Sequence, residues 1–203
     1  MKRMISIVCA LLLIIGLCAC KKDAKKEAGL PEFPFTAVEY VKQFNESCGD
    51  TLTGIGELDA SDVVNEKSNF SVHGFNDFVC FIAYTTPETN KIQNTTIALL
   101  NEGLDDSESI VLFGSYAKIM LATYLSNEDQ LKEAITKLRL AEYLPLGYQN
   151  VYENDHMVAY FMHDNAGLRL LVLPIAAKYT GDDLLPPAPE STAASASSAT
   201  VSE

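Results

Sequence analysis

Apolar residues recur along the chain with two different periods, which predict helices and strands in turn. Between residues 36 and 48 the apolar positions are three or four apart, the spacing of an amphipathic helix. Thr36 with Glu39 has the spacing of a capping box, and Phe35 with Tyr40 that of a hydrophobic staple. The pattern predicts a helix from about Thr36 to Cys48 that buries one stripe of side chains: Val38, Val41, Phe44 and Cys48.

The next part of the chain predicts three strands. The segments FSVHGF (70–75) and DFVCFIAYTT (77–86) are rich in β-branched and aromatic residues, as strands are. The polar turn TPETNK then leads into IQNTTIALL (92–100), which completes a hairpin. The span from Thr51 to Ser68 carries no clear period and receives no assignment.

Two helices and three further strands complete the pattern. A long helix is predicted over residues 109–125, with one face formed by Ile110, Phe113, Ala117, Met120, Leu121 and Tyr124. Asn127 with Gln130 makes a second capping box for an amphipathic helix. The strands are YQNVYE, HMVAYFMH and LRLLVLP, separated by short polar turns. This order predicts an α+β fold in two layers, with an antiparallel sheet of about five to six strands packed against three helices.

The N-terminal residues follow a different pattern. Lys2 and Arg3 precede the apolar run MISIVCALLLIIGLCAC, which is shorter than the roughly 20 residues that a membrane-spanning helix needs. A basic start, an apolar run and small residues before a boundary are the parts of a secretory signal peptide. Residues 17–20, Leu-Cys-Ala-Cys, resemble the lipobox of bacterial lipoproteins.

The resemblance implies a lipid anchor on Cys20. Residues 1–19 would be removed, a diacylglyceryl group would be attached to the Cys20 sulfur, and the new amino group would usually be acylated. Stable anchoring takes more than one hydrophobic signal, and a multiply acylated cysteine supplies it. The implied location is the cell membrane or the outer membrane, with the domain facing outside the cytoplasm. An uncleaved N-terminal anchor helix is the alternative.

Composition and charge bound the rest. The 15 Lys and Arg residues face 27 Asp and Glu residues, and without Lys2 and Arg3 the count is 13 against 27, a formal charge of −14. A surface this acidic repels nucleic acid, so no nucleic-acid partner is predicted. Residues 20–33 read as a lipidated tether and residues 34–179 as one domain. Residues 180–203 are rich in Ala, Ser and Pro and are predicted to be a disordered tail.

Candidate chemistry is sparse. His156 and His163 lie beside Asp155 and Asp164, seven positions apart in one predicted strand. They would point to opposite faces roughly 23 Å apart, so they cannot share a site. We interpret them, like His73, as polar residues near turns. No catalytic residue, metal site or cofactor is predicted. The acidic residues before the long helix favour a helix start over a calcium site: Glu102, Asp105, Asp106 and Glu108.

Two cysteines remain in the predicted domain after Cys20 is lipidated. Cys48 lies on the apolar face of the first helix and Cys80 in an apolar strand. Two thiols in an exported domain can form a disulfide. Two reduced, buried cysteines are the other possibility, and the sequence does not decide between them.

Two function classes follow. The first is a non-catalytic lipoprotein with a binding or structural role, which binds a protein partner or another surface component through its sheet or a sheet edge. Its support is the segment MVAYFM (157–162), which is apolar at both alternations although one helical layer covers only one face of a sheet. The second is an extracytoplasmic hydrolase that acts on cell-wall or extracellular substrate. A cavity lined by polar groups would favour the hydrolase, and an apolar surface would favour binding.

Overall fold

The computed structural model describes residues 31–48, 57–63, 69–179 and 185–187. Residues 1–30 lie outside the described residues, and they contain the whole predicted signal peptide, Cys20 and most of the predicted tether. The helices are α1 (Ala37–Cys48), α2 (Ala60–Val63), α3 (Ser107–Tyr124) and α4 (Glu128–Leu138). The strands are β1 (Phe70–Gly74), β2 (Val79–Thr85), β3 (Ile92–Leu100), β4 (Tyr148–Glu153), β5 (Met157–Asp164) and β6 (Gly167–Pro174).

All six strands form one antiparallel sheet in the order β1-β2-β3-β6-β5-β4. Each half of the sheet is a three-stranded meander, and the two meanders meet where β3 pairs with β6. α3 and α4 connect the halves, and the helices pack on one face of the sheet. The predicted two-layer α+β fold is therefore confirmed.

The start of α1 has the predicted geometry. The Thr36 N–H donates to Glu39 Oε2 at 2.7 Å, and the Glu39 N–H donates to Thr36 Oγ1 at 3.3 Å, which completes the capping box. The predicted position of Val38 is wrong, because 63% of its surface is exposed. Tyr40 is buried instead, with its ring centroid 5.9 Å from that of Phe81. This aromatic contact turns the buried face of α1 away from Val38.

α3 is also rotated relative to the prediction. Ile110 is 43% exposed, whereas Tyr116 and Ile119, which the prediction left out, are buried. The acidic stretch before this helix serves as its start, as predicted: Asp106 Oδ2 accepts hydrogen bonds from the Ser109 N–H at 3.2 Å and from the Ser109 hydroxyl at 2.5 Å.

β5 is buried on both faces, as its sequence predicts. Met157 and Phe161 belong to the core between the sheet and the helices. Val158 and Tyr160 lie on the opposite face, which we call the outer face, in a second apolar cluster with Leu173 of β6. The apolar alternation of this strand therefore corresponds to two separate packing layers.

Cys48 and Cys80 lie on opposite sides of the sheet. Cys48 is part of the helix-side core, whereas Cys80 packs on the outer face with Ile82 and Ala98. Both are buried free thiols. The structure therefore does not support the disulfide hypothesis, because the sheet separates the two sulfur atoms.

We expect both thiols to be unreactive in the folded protein. Burial raises the pKa of Cys80 to about 11, and burial together with the nearby Glu57 carboxylate raises the pKa of Cys48 to about 11. Thiolate is the reactive form, so iodoacetamide at pH 8 should modify neither residue until denaturant is added. Below pH 8 both thiols are neutral in the folded and the unfolded chain, so they do not make the free energy of unfolding depend on pH. Because the folded-state pKa values are raised, the free energy of unfolding falls as the pH rises from there towards 11. Mass spectrometry after alkylation measures the reactivity. A native mass lower by two hydrogen atoms, restored by reductant, would contradict this prediction.

The predicted disordered tail overlaps the described residues only at 185–187. There the Gln149 N–H donates to the Pro186 carbonyl oxygen at 2.9 Å. Across the described ranges, no helix is long and apolar enough to cross a membrane.

Candidate functional site: an aromatic cavity

A cavity of about 420 Å³ opens where residues 32–35, which we call the N-terminal segment, meet the end of α3 and the β4–β5 turn. Sites for small organic ligands commonly enclose about 300–1,000 Å³. The lining residues are Glu32, Phe33, Pro34, Phe35, Tyr124, Asp155, His156, Met157 and Pro174.

The inner wall of the cavity is aromatic. The ring centroid of Tyr124 lies 4.7 Å from that of Phe33 and 5.6 Å from that of Phe35. The Phe33 and Phe35 rings stack with their centroids 5.3 Å apart. Met157, which is 1% exposed, also lines the cavity. Its polarizable thioether packs favourably against aromatic groups. The cavity is therefore suited to an apolar or aromatic group.

Main-chain hydrogen bonds hold the N-terminal segment in place. The Phe33 N–H donates to the Ile92 carbonyl oxygen at 2.8 Å, and the Ile92 N–H donates to the Phe35 carbonyl oxygen at 3.4 Å. Thr36 continues this pairing as an antiparallel bridge to Lys91. The pairing with the start of β3 therefore fixes the backbone that carries the two phenylalanine rings.

Glu32 anchors the same segment at the cavity mouth. Its carboxylate accepts hydrogen bonds from the hydroxyls of Thr86, at 2.8 Å, and Thr89, at 3.0 Å, and lies 3.1 Å from Lys91 Nζ. The Thr86 hydrogen bond, followed by that of Lys91, lowers the pKa of Glu32 below its usual value. Glu32 is therefore ionised at neutral pH, and the Lys91 ammonium balances its charge.

The Tyr124 ring is fixed from behind. Its hydroxyl is 2.8 Å from the Thr95 hydroxyl in the core. Burial raises the pKa of the Tyr124 hydroxyl, so the phenol stays neutral. The polar end of Tyr124 is satisfied inside the protein, while the ring contributes to the cavity wall.

The opposite rim is the turn between β4 and β5. Asn154 Oδ1 accepts hydrogen bonds from the N–H groups of His156, at 2.8 Å, and Met157, at 2.9 Å. The Ile175 N–H donates to the His156 carbonyl oxygen at 3.0 Å. These bonds fix the exposed Asp155 and His156 beside the opening. The Asp155 carboxylate on this side of the mouth can accept a hydrogen bond from a ligand.

The structure keeps the three predicted histidines apart. His156 lies at the cavity, whereas His163 is buried at the other end of β5, with Nδ1 2.7 Å from the Leu144 carbonyl oxygen. His73 lies on β1, with its ring centroid 5.0 Å from that of Phe75. The prediction that His156 and His163 cannot share a site is confirmed.

Sequence reasoning missed a pairing of His73 with Asp62. His73 Nδ1 is 2.9 Å from Asp62 Oδ1, and both side chains are partly exposed. Asp62 lies in the stretch that received no assignment, so no pattern linked the two. On the same strand, the buried Ser71 hydroxyl has no hydrogen-bond partner among the described residues, so it is not hydrogen-bonded to His73. The pair joins α2 to β1.

The described ranges contain no group of three or more His, Cys, Asp or Glu residues that could hold a metal ion. A larger and more open groove of about 720 Å³ lies beside the cavity, between α1 and the α3–α4 connection, and shares Phe35 and Tyr124 with it. Its other lining residues are mostly polar or charged, so a smaller fraction of its surface is apolar than in the cavity. Comparison of the chain with protein-family models, with curated proteins and with solved structures gives no match.

Proposed function

We propose that this protein is a lipid-anchored envelope lipoprotein with a non-catalytic binding role, and that its domain binds a small ligand in the aromatic cavity. The anchor rests on the lipobox resemblance at Cys20. The observation that carries the binding role is the wall formed by Phe33, Phe35 and Tyr124.

The cavity chemistry supports a ligand with two distinct parts. An aromatic or aliphatic body fits against the rings and Met157, and burial of about 150 Å² of apolar surface contributes roughly 4 kcal/mol before the cost of association. A hydrogen-bond-donating group fits at the mouth, beside Asp155. The formal charge of −12 over the whole chain also disfavours anionic ligands.

The cavity is close in sequence to the anchor. Phe33 follows Cys20 by 13 residues, which span at most about 45 Å when fully extended. A lipid on Cys20 would therefore keep the cavity within this distance of the membrane surface. Such a tether suits capture of a small molecule close to the envelope.

The experiment uses a single introduced tryptophan. The chain contains no Trp, so His156→Trp creates one emitter at the cavity mouth. In the full chain that also carries Cys20→Ser, we expect added dansylamide, an uncharged aromatic probe, to show saturable energy transfer from this tryptophan, with a Kd between about 10 μM and 1 mM.

A matched variant, Tyr143→Trp, controls for non-specific probe binding. Tyr143 is 75% exposed and lies near His163, at the far end of β5 from the cavity. Energy transfer to a probe in the cavity should be weaker from the tryptophan of the Tyr143→Trp variant than from that of the His156→Trp variant, because the distance is longer. Both signals should saturate at the same probe concentration, because both report the same bound probe. Transfer that rises linearly in both variants would mean that the cavity does not bind the probe, and the proposal would fail.

A further inference from the structure

β4 is the last strand of the sheet, and part of its free edge is occupied by the same chain. The Gln149 N–H donates to the Pro186 carbonyl oxygen at 2.9 Å. Gln149 also forms a bridge of parallel type with Pro187. Residues 185–187 therefore lie along the edge of β4 as a short added strand.

Lys178 and Tyr179, just after β6, contact β4 and β5. The Tyr179 ring packs on the Tyr160 ring of β5 with centroids 5.6 Å apart, and the Tyr179 N–H donates to Tyr160 Oη at 3.1 Å. Lys178 forms an ion pair with Glu153 at the end of β4. The chain thus crosses from β6 over β5 on the outer face, and the described residues that follow are beside β4.

The two prolines fit a role at a sheet edge. An exposed edge strand presents unpaired N–H and C=O groups that can pair with another chain. The Pro186 carbonyl oxygen accepts a hydrogen bond from β4, and Pro187, like Pro186, has no N–H to offer to a further strand. A proline-containing segment can therefore cover an edge without extending the sheet.

The edge of β4 has three residues whose N–H groups point away from the sheet. Alternate residues of an edge strand direct their N–H groups outward, so the N–H groups of Gln149, Val151 and Glu153 share one direction. The described contact of residues 185–187 with this edge is at Gln149. Val151, two positions further along this edge, is 37% exposed.

We propose that the β4 edge is a strand-addition site for an extended, proline-containing segment in parallel orientation, and that residues 185–187 occupy it in cis. A protein partner with such a segment gains access to β4 by displacing them. Main-chain hydrogen bonds would provide the affinity, as in other cases of strand addition. This inference concerns the sheet edge and is independent of the aromatic cavity.

Two truncations of the chain test the proposal. A chain that ends after Tyr179 lacks the added strand, whereas a chain that ends after Glu190 keeps it. We expect hydrogen exchange of the Gln149 amide to be at least about fivefold faster in the shorter chain and unchanged in the longer one. A synthetic peptide with the sequence of residues 183–190, DLLPPAPE, should restore slow exchange in the shorter chain, and the reversed sequence EPAPPLLD should not.

Equal exchange of the Gln149 amide in the two truncated chains would overturn the proposal. So would equal protection by the two peptides, because a parallel strand has a direction. If the shorter chain does not fold, the test moves to the full chain, where the Gln149 amide should exchange at least about fivefold more slowly than an unprotected amide of the same local sequence. Exchange at the unprotected rate there would also overturn the proposal.

Discussion

Gly167→Ala is expected to destabilise the domain by about 3 kcal/mol or more, which is a large fraction of the 5–15 kcal/mol of a typical domain. Gly167 has a φ of +127°, a conformation that side chains disfavour. A Cβ atom there would lie 2.0 Å from the Leu99 carbonyl oxygen and 3.0 Å from the Asn101 nitrogen. Both are backbone atoms beside the central β3–β6 pair, so the contact can be relieved only by moving the middle of the sheet.

Denaturant unfolding measures this effect, and two other glycines provide controls. Gly147 also has a positive φ, of +85°, but a Cβ there meets nothing within 4 Å, so Gly147→Ala should cost only about 1–2 kcal/mol. Gly114 lies inside α3 with open space around it, so Gly114→Ala should raise stability by up to about 1 kcal/mol. Equal midpoints for Gly167→Ala and Gly114→Ala would contradict this account of the β5–β6 turn.

Cys20→Ser is expected to remove the protein from the membrane. If the Cys20 sulfur carries the lipid, its loss leaves a chain without the acyl groups that hold it in a bilayer. In the native host, detergent phase separation should find nearly all of the wild-type protein in the detergent phase. The Cys20→Ser protein should be in the aqueous phase or remain as an unprocessed precursor.

Cys18→Ser is the matched control for the lipidation site. Cys18 is two positions away in the same apolar run, and the lipobox alignment assigns it no lipid. The Cys18→Ser protein should still partition into detergent, and mass spectrometry should find its mature N-terminus at a modified Cys20. An unlipidated N-terminus at another residue in the wild-type protein would refute the anchor.

The elements were predictable because their signals are local. β3 and β4 begin and end at the residues that the alternation and turns indicated, Ile92–Leu100 and Tyr148–Glu153. The predicted capping boxes likewise depend on residues three positions apart. The one at Thr36 forms in full, whereas at Asn127 only the N-cap side chain takes part, as Asn127 Oδ1 accepts from the Asp129 and Gln130 N–H groups. Which face of a helix is buried depends on its neighbours, and for this reason Val38 and Ile110 were misplaced.

The cavity left no trace in the sequence. Phe33, Tyr124 and Met157 come from three distant parts of the chain, and only the folded sheet brings them together. Each reads locally as an ordinary apolar residue. The pairing of Asp62 with His73 was missed for a similar reason, because α2 is a single short turn without a repeating pattern. Long-range contacts of this kind are fixed by topology and cannot be read from spacing.

The methionine methyl groups provide the most direct test of ligand binding in the cavity. The mature chain would contain three methionines, Met120, Met157 and Met162, because Met1 and Met4 precede Cys20. Met157 lines the cavity, whereas Met162 packs against the outer-face cluster. In ¹³C-methyl NMR of the chain labelled at methionine, titration with dansylamide should move the Met157 resonance along a saturable curve and leave that of Met162 in place. A Met157 resonance that does not move, or that moves only in step with Met162, would contradict the proposed binding site.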